Sequence, residues 1–328
     1  MNDVKNIISV IDIGSNSVKM RTAYLRKNLH VIYDHTEVTK LAGNLQNNRI
    51  RRESMILTLE ALRKMIDTAH SLNSNDIIIV ATMALRSAEN AFEFLELVFK
   101  ETGYKVRVLS GYEEAFYSWL GAVHDFDNQK CMLMFDSGGG STEFVLGCSD
   151  SIFEAVSVPL GAVSLTEKFF MTDGIIDLAN IKSAIIFIRD IFSEYGVRDI
   201  FERFCNSAAY KEADLNKIIG VGGGICAIAN VKIANDIFVP SKLHGLEVTL
   251  SDLRKQIELY ASLTLKERSE IIGLPSNRAD IILSSACIIR EILELFMEVS
   301  GKKSYIKVSI NGLRNGILLN ADKILNAR

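Results

Sequence analysis

The sequence predicts an α/β protein built from two related halves, each a mixed sheet flanked by helices. Three observations carry this. A short phrase occurs twice, as Ile11-Asp12-Ile13-Gly14-Ser15-Asn16-Ser17 and as Phe135-Asp136-Ser137-Gly138-Gly139-Gly140-Ser141. Its two aspartates are 136 − 12 = 124 residues apart, a domain-sized interval. Each copy leads into alternating apolar runs typical of strands, and then into strand–helix alternation, the order that crossover connections produce.

In the first half, residues 7–14, 17–25 and 29–38 read as strands, with Arg26-Lys27-Asn28 as a turn. Residues 44–48 are polar and loop-like. From Arg51 to Leu72, the side chains Met55, Leu59, Leu62 and Ile66 recur at helical spacing. Ile77-Ile78-Ile79-Val80 is the continuous apolar run of a strand covered on both faces. A helix at about 89–101, a strand at 105–109 and a helix at about 112–123 follow.

The second half restarts at Lys130. Strands at 131–136, 142–147 and 152–158 repeat the opening, and helices follow at about 161–170 and 178–193. Ile218 to Gly224 reads as a strand running into a glycine turn and a helix. Helices at 251–262, 264–272 and 277–299, a strand at 305–310 and a helix at 312–320 close the chain. Two domains are expected, 1–125 and 126–311, each with a five-stranded sheet and with a cleft between them. The boundary falls at the polar stretch Asp125-Phe126-Asp127-Asn128, and a C-terminal helix, about 312–328, returns to the first domain.

With 328 residues, 48% hydrophobic and 23% charged, the chain has the make-up of a soluble globular protein. A formal net charge of −3 argues against a general nucleic-acid binder, so neither DNA nor RNA is expected as a partner. Five scattered cysteines contain no CxxC pair and read as buried, reduced thiols. The N-terminus shows no signal-peptide pattern, and no apolar run is long enough for a membrane span. A cytoplasmic protein without a membrane partner is expected. The five histidines lack metal-ligand spacing, which argues against a His-based zinc site or a Ser-His-Asp triad.

The doubled phrase is where chemistry is expected. Each copy reads as a hairpin with an aspartate at the end of its first strand and exposed N–H groups in its turn. Such a turn cradles a phosphate, and carboxylates beside it suit the Mg²⁺ that phosphate brings. In the second copy Asp136 and Glu143 flank Gly138, Gly139 and Gly140, so both carboxylates reach one mouth if the hairpin closes there. In the first copy Ser15, Asn16 and Ser17 supply hydrogen-bond donors next to Asp12. Gly220-Val221-Gly222-Gly223-Gly224 also ends a strand, a second place for phosphate. Ser110-Gly111-Tyr112-Glu113-Glu114 opens a helix. One glutamate suits the helix cap, and the other is available as a general base. Arg86, after the Ile77–Val80 strand, and Arg278, at a helix start, carry forks that fit phosphate.

Taken in order, these motifs resemble the exopolyphosphatase / guanosine pentaphosphate phosphohydrolase (Ppx/GppA) family, a branch of the actin-like fold. The resemblance runs through Asp12-Ile-Gly-Ser-Asn-Ser17, Ala81-Thr-Met-Ala-Leu-Arg86, Ser110-Gly-Tyr-Glu-Glu-Ala115, Asp136-Ser-Gly-Gly-Gly-Ser-Thr-Glu143 and Pro159-Leu-Gly-Ala-Val163. It ends with Gly220-Val-Gly-Gly-Gly224, His244-Gly245 and Arg278-Ala-Asp280. It implies two actin-like (ribonuclease H-like) domains and Mg²⁺-dependent removal of the terminal phosphate from inorganic polyphosphate, pppGpp, or both. By the same resemblance Glu114 is the general base and Asp136 and Glu143 hold Mg²⁺, for which Mn²⁺ is the nearest substitute and beside which K⁺ is compatible. Asp12, Gly14, Ser15, Asn16, Ser17, Arg86, Gly138, Gly139, Gly140, Ser141, Gly222, Gly223 and Arg278 are implied as phosphate contacts. A homodimer is compatible with the family.

Three departures from the family pattern stand out. Ser137 replaces an aliphatic residue, Lys40 stands where arginine is more usual, and the helical C-terminal domain of long members is not expected. Two other readings share the motifs: an ATP-dependent kinase or ATPase of the same fold, and a non-catalytic (p)ppGpp-binding sensor.

Overall fold

The computed structural model describes residues 6–25, 28–43, 48–124, 126, 131–148, 151–206, 217–237 and 239–326. The chain forms two units, Met1–Gly121 with Leu313–Arg328, and Ala122–Gly312. The turn at 26–27, residues 44–47, and residues 125, 127 and 128 of the expected boundary lie outside the described residues.

The first unit contains strands Ile7–Ile13 (β1), Ser17–Leu25 (β2) and Leu29–Val38 (β3), then helix Arg52–Ser71 (α1) and strand Asp76–Ala81 (β4). Helices Met83–Ser87 (α2) and Ala91–Thr102 (α3), strand Arg107–Val108 (β5) and helix Gly111–Val123 (α4) follow. The sheet order is β3-β2-β1-β4-β5, with β1 antiparallel to β2 and parallel to β4. Alternation along β1 and β4 sorts their side chains onto two faces. Ile11, Ile13, Ile77 and Ile79 pack with Met55, Leu59, Leu62 and Ile66 of α1. Ile8, Val10, Ile78 and Val80 pack on the other face with Leu313, Ile317 and Ile324. Both central strands are therefore covered twice, as their unbroken apolar runs require.

The second unit contains strands Cys131–Ser137 (β6), Thr142–Cys148 (β7) and Ser151–Val158 (β8), and helices Ala162–Phe169 (α5), Leu178–Glu194 (α6) and Val197–Asn206 (α7). Strand Lys217–Val221 (β9) leads into helix Gly223–Lys232 (α8). Helix Pro240–Leu243 (α9), strand Glu247–Thr249 (β10), helices Leu250–Ala261 (α10) and Leu265–Ser269 (α11), a 3₁₀ turn at Ser276–Arg278 and helix Ile282–Ser300 (α12) come next. Strand Tyr305–Val308 (β11) ends the unit, and helices Leu313–Leu319 (α13) and Ala321–Asn326 (α14) rejoin the first. On α7, Val197, Ile200, Phe201 and Phe204 form one apolar stripe. Phe201 meets Phe144 and Phe296 edge-on, with ring centroids 5.7 Å apart in both pairs.

Two expectations are corrected. The second sheet has six strands, ordered β10-β11-β9-β6-β7-β8, because Glu247–Thr249 adds an antiparallel edge to β11. The cysteines are not all reduced thiols: Cys131 and Cys148 are direct cross-strand partners in β6–β7 and are joined as a disulfide.

The two hairpins match residue for residue. Gly14 N–H donates to the Ser17 carbonyl at 3.0 Å, and Gly138 N–H to the Ser141 carbonyl at 2.9 Å. Asp12 faces Val80 on the neighbouring parallel strand, and Asp136 faces Val221. A register shift falls at Thr22/Ala23 in one copy and at Leu146/Gly147 in the other. The offsets from the aspartates are equal, 22 − 12 = 10 and 146 − 136 = 10.

The disulfide closes a loop with a sequence separation of 17. A loop of about this length contributes on the order of 3 kcal/mol by restricting the unfolded chain. Denatured, unreduced protein is expected to titrate three thiols, rising to five on reduction. Cys148→Ser should lower the unfolding free energy by a similar amount, measured by urea melts.

Candidate functional site

In the first unit the β1–β2 turn is held from outside. Thr39 and Lys40 N–H groups donate to the Asn16 carbonyl at 3.1 and 2.9 Å, and Ala42 N–H donates to the Ser15 carbonyl at 3.0 Å. These bonds use the turn's carbonyls and fix its backbone. The side chains of Asp12, Ser15, Asn16 and Ser17 are all buried. Asp12 Oδ1 and both polar side-chain atoms of Asn16 have no hydrogen-bond partner among the described residues. Nor does Thr39 Oγ1, on a residue the sequence did not single out, since a threonine following a strand carries no signal of its own. Buried polar atoms left unmatched cost free energy, so a polar group placed at this corner would be favourable. Gly14 keeps the turn tight: a Cβ there would lie 3.2 Å from the Ser17 carbonyl oxygen.

The adjacent glutamates separate cleanly. Glu113 accepts from the Ser110 N–H and the Ser110 hydroxyl, each at 2.9 Å, and pairs with Arg107. Burial opposes its charge, but the Ser110 and Arg107 bonds win and hold its carboxyl below the ordinary value. Glu113 is thus committed to the start of α4. Glu114, one helical step on, is buried and accepts from Arg86 Nη1 at 3.0 Å. The same Nη1 donates to the Leu109 carbonyl at 2.8 Å. Arg86 lies in the last turn of α2, beyond β4, with its Nη1 engaged by a carboxylate and a backbone oxygen.

In the second unit the β6–β7 register makes Asp136 and Glu143 direct cross-strand partners on one face, a pair whose side chains stand side by side. Glu143 is 2% exposed, and its Oε1 accepts from the Ser157 hydroxyl at 2.8 Å. The turn at Gly138–Ser141 is locked by α5. Ala162 N–H donates to the Gly138 carbonyl at 3.0 Å, and Val163 N–H to the Gly139 carbonyl at 2.8 Å. This approach needs Gly161, where a Cβ would run into the backbone of Gly139 and Gly140. Gly222 has φ +115°, and a Cβ there would strike the Ser137 carbonyl and lie 3.3 Å from Asp136 Oδ1. The guanidinium of Arg278 lies directly against Gly223, in space a side chain would fill. The structure thus brings Asp136, Glu143, the first glycine turn, the second glycine turn and Arg278 together within one unit. Ser137 is accommodated: its hydroxyl lies 3.3 Å from that of Thr142, which donates to the Leu160 carbonyl at 2.7 Å.

Two carboxylates beside a turn of N–H groups fit Mg²⁺, which binds one or two carboxylates and takes its other ligands from phosphate and water. Space for that exists around Asp136, because glycines stand where a Cβ would be 3.3 Å from Oδ1 (Gly222) and 3.6 Å from Oδ2 (Gly312). Among the described residues no three His, Cys, Asp or Glu side chains cluster into a metal cage. No described helix is long and apolar enough to cross a membrane.

The model of the Ppx/GppA phosphatase family matches residues 18–323. The chain belongs to this family. A Ppx/GppA protein of Aquifex aeolicus has the same fold, with a TM-score of 0.75 at 27% identity over 98% of each chain. The architecture is the two-domain, actin-like α/β fold. A bifunctional 3-dehydroquinate synthase/phosphatase of Fusobacterium nucleatum is 31% identical over 321 residues, 94% of this chain and 46% of the relative. A guanosine-5'-triphosphate,3'-diphosphate pyrophosphatase of Pseudoalteromonas translucida is 29% identical over 96% of this chain and 59% of its own length. A Haemophilus influenzae protein that carries the name exopolyphosphatase provisionally is 27% identical over 96% of this chain and 91% of its own. The chain therefore spans about half the length of the Fusobacterium nucleatum relative and about three-fifths of the Pseudoalteromonas translucida one.

Asp12 supplies a test of the first hairpin. Desolvation raises its carboxyl, against the opposing fields of Lys19 and Arg314. A raised folded-state value means its contribution to stability is full at low pH and is lost as pH rises through that value. In metal-free buffer at pH 7, Asp12→Asn is expected to melt above the wild type. The gap should close as pH falls through the carboxylate range, and melts from pH 4 to 8 read it.

Proposed function

We propose that the protein is a Mg²⁺-dependent phosphoanhydride hydrolase that releases the terminal phosphate of inorganic polyphosphate, of pppGpp, or of both. The observation that carries this reading is the division of labour at Glu113-Glu114. One carboxylate is spent on the helix cap, and its neighbour is held, buried, on an arginine. A buried carboxylate held in place by an arginine, and not spent on the helix cap, suits a general base.

In this reading Glu114 accepts the proton of a water as the water oxygen bonds to the terminal phosphorus. The bridging P–O bond breaks, and its electron pair leaves with the shortened chain. Arg86 orients Glu114. Asp136 and Glu143 would hold Mg²⁺, which when bound offsets negative charge on the phosphoryl oxygens. The N–H groups at Gly138–Ser141 and at Gly222–Gly223, together with Arg278, bind and orient phosphate oxygens. Asp12 and Asn16, whose side chains hold polar atoms without partners among the described residues, would contact the substrate together with Ser17. The names of the relatives support both substrates and do not rank them.

Phosphate release from inorganic polyphosphate and from pppGpp, measured side by side with and without Mg²⁺, tests the reading. Turnover of at least one substrate, abolished by EDTA, is expected. Glu114→Gln should cut turnover by about 10²–10⁴-fold with little change in KM. Near-normal turnover in that variant would remove Glu114 from the role. Phosphate transfer from ATP to an acceptor with no hydrolysis of either substrate would overturn the reading as a whole.

A further inference from the structure

Ser157 belongs to no motif and reads from sequence as one more polar residue near the end of a strand. The structure gives it a specific place. β7 lies between β6 and β8 and runs antiparallel to both. The register sets Asp136 opposite Glu143 and Glu143 opposite Ser157, so the three stand in one row on one face of the sheet. Their chain neighbours Phe135, Phe144 and Val158 belong to the apolar core on the other face. Within this row the Ser157 hydroxyl donates to Glu143 Oε1 at 2.8 Å. Ser157 is half-buried and Glu143 is buried, and backbone pairing fixes the spacing between them.

A hydroxyl that donates to one oxygen of a carboxylate does two things. It restrains the rotation of the carboxylate about its last side-chain bond, and it competes with a cation for that oxygen. Cations differ in how much the second effect matters. Mg²⁺ is small, demands near-octahedral geometry and takes only one or two carboxylates, with water and phosphate for the rest. Ca²⁺ is larger, takes more ligands and readily accepts both oxygens of one carboxylate.

We propose that Ser157 is a positioning residue that makes Glu143 offer a cation one oxygen instead of two, and so biases the site toward Mg²⁺ over Ca²⁺. The inference rests on the reading of Glu143 as a metal ligand. It adds the residue that sets how Glu143 binds and which divalent ion that favours.

Metal binding to the full chain without substrate tests the inference, so no result depends on turnover. Mn²⁺ is bound first, its free ion is followed by electron paramagnetic resonance, and displacement by Mg²⁺ or Ca²⁺ gives the dissociation constant of each. Ser157→Ala should weaken Mg²⁺ binding about tenfold, the size expected when a metal ligand loses its supporting partner. The same variant should bind Ca²⁺ as tightly as wild type or more tightly. Ser157→Thr, which keeps the hydroxyl, should keep the wild-type ratio of the two constants. Ser157→Cys, similar in shape but a weak donor, should shift the ratio as alanine does, and it decides the matter if Ser157→Ala does not fold. A purely structural role predicts that Mg²⁺ and Ca²⁺ weaken together or that neither changes, and either result overturns the inference. Glu143→Gln separates the two claims. If wild type binds neither ion, or if Glu143→Gln binds both as wild type does, the metal role of Glu143 falls and this inference with it. If Glu143→Gln loses the metal while Ser157→Ala keeps the wild-type ratio, this inference falls alone.

Discussion

The second unit depends on how closely its backbone segments approach one another at the ends of β6 and β9. Three stretches meet there: the turn after Asp136, the N-terminus of α5, and the turn after Val221. Gly161 and Gly222 make the meeting possible, since a Cβ at either position would overlap a backbone carbonyl. The gain is positional. Two sets of N–H groups and an arginine are fixed by secondary structure instead of by flexible side chains, so little order remains to be imposed when an anion arrives. The same crowding leaves room beside Asp136, which a side chain at Gly222 or Gly312 would fill.

The first unit achieves its geometry by another route. Its turn lacks the glycine run and is held by the strand end that follows β3, through the Asn16 and Ser15 carbonyls. Asp34 joins Arg21 and Arg314, tying α13 to β2 and β3. That arrangement brings the positive field of Arg314 to the face on which Asp12 is buried. The unit thus carries a desolvated carboxylate beside unmatched amide and hydroxyl atoms.

Much of this was legible in the sequence where period and punctuation agree. The long α1, the two opening hairpins and the Asp136–Glu143 pairing follow from alternation, helical spacing and a glycine turn of fixed length. Some elements not legible in the sequence are short or borrowed, although the ten-residue α7 is neither. β10 is three residues long, too few for alternation to register, and exists because β11 offers it an open edge. α2 overlaps the Ala81–Arg86 phrase, where its Thr82-Met83-Ala84 start resembles loop. The Cys131–Cys148 pairing is invisible without register, since 17 residues separate the two and no CxxC marks them. Arg268 is buried, and the sequence hides this because a buried arginine and a solvated one look alike in a charged pentapeptide. Which of Glu113 and Glu114 caps the helix was left open by the residues alone, and Arg107, which lies outside the motif, helps decide it.

The matched register shifts, ten residues after each aspartate, have a consequence of their own. Few side chains are shared by the two hairpins beyond the aspartate, Gly14/Gly138 and the closing serine. An irregularity in strand pairing is harder to gain twice by chance than a favoured residue is, because it needs an extra residue in one strand and an accommodating neighbour. The two copies have thus diverged in what they carry, one toward hydroxyls and an amide, the other toward glycines and a second carboxylate. What they share is a flaw in the weave at the same distance from each aspartate.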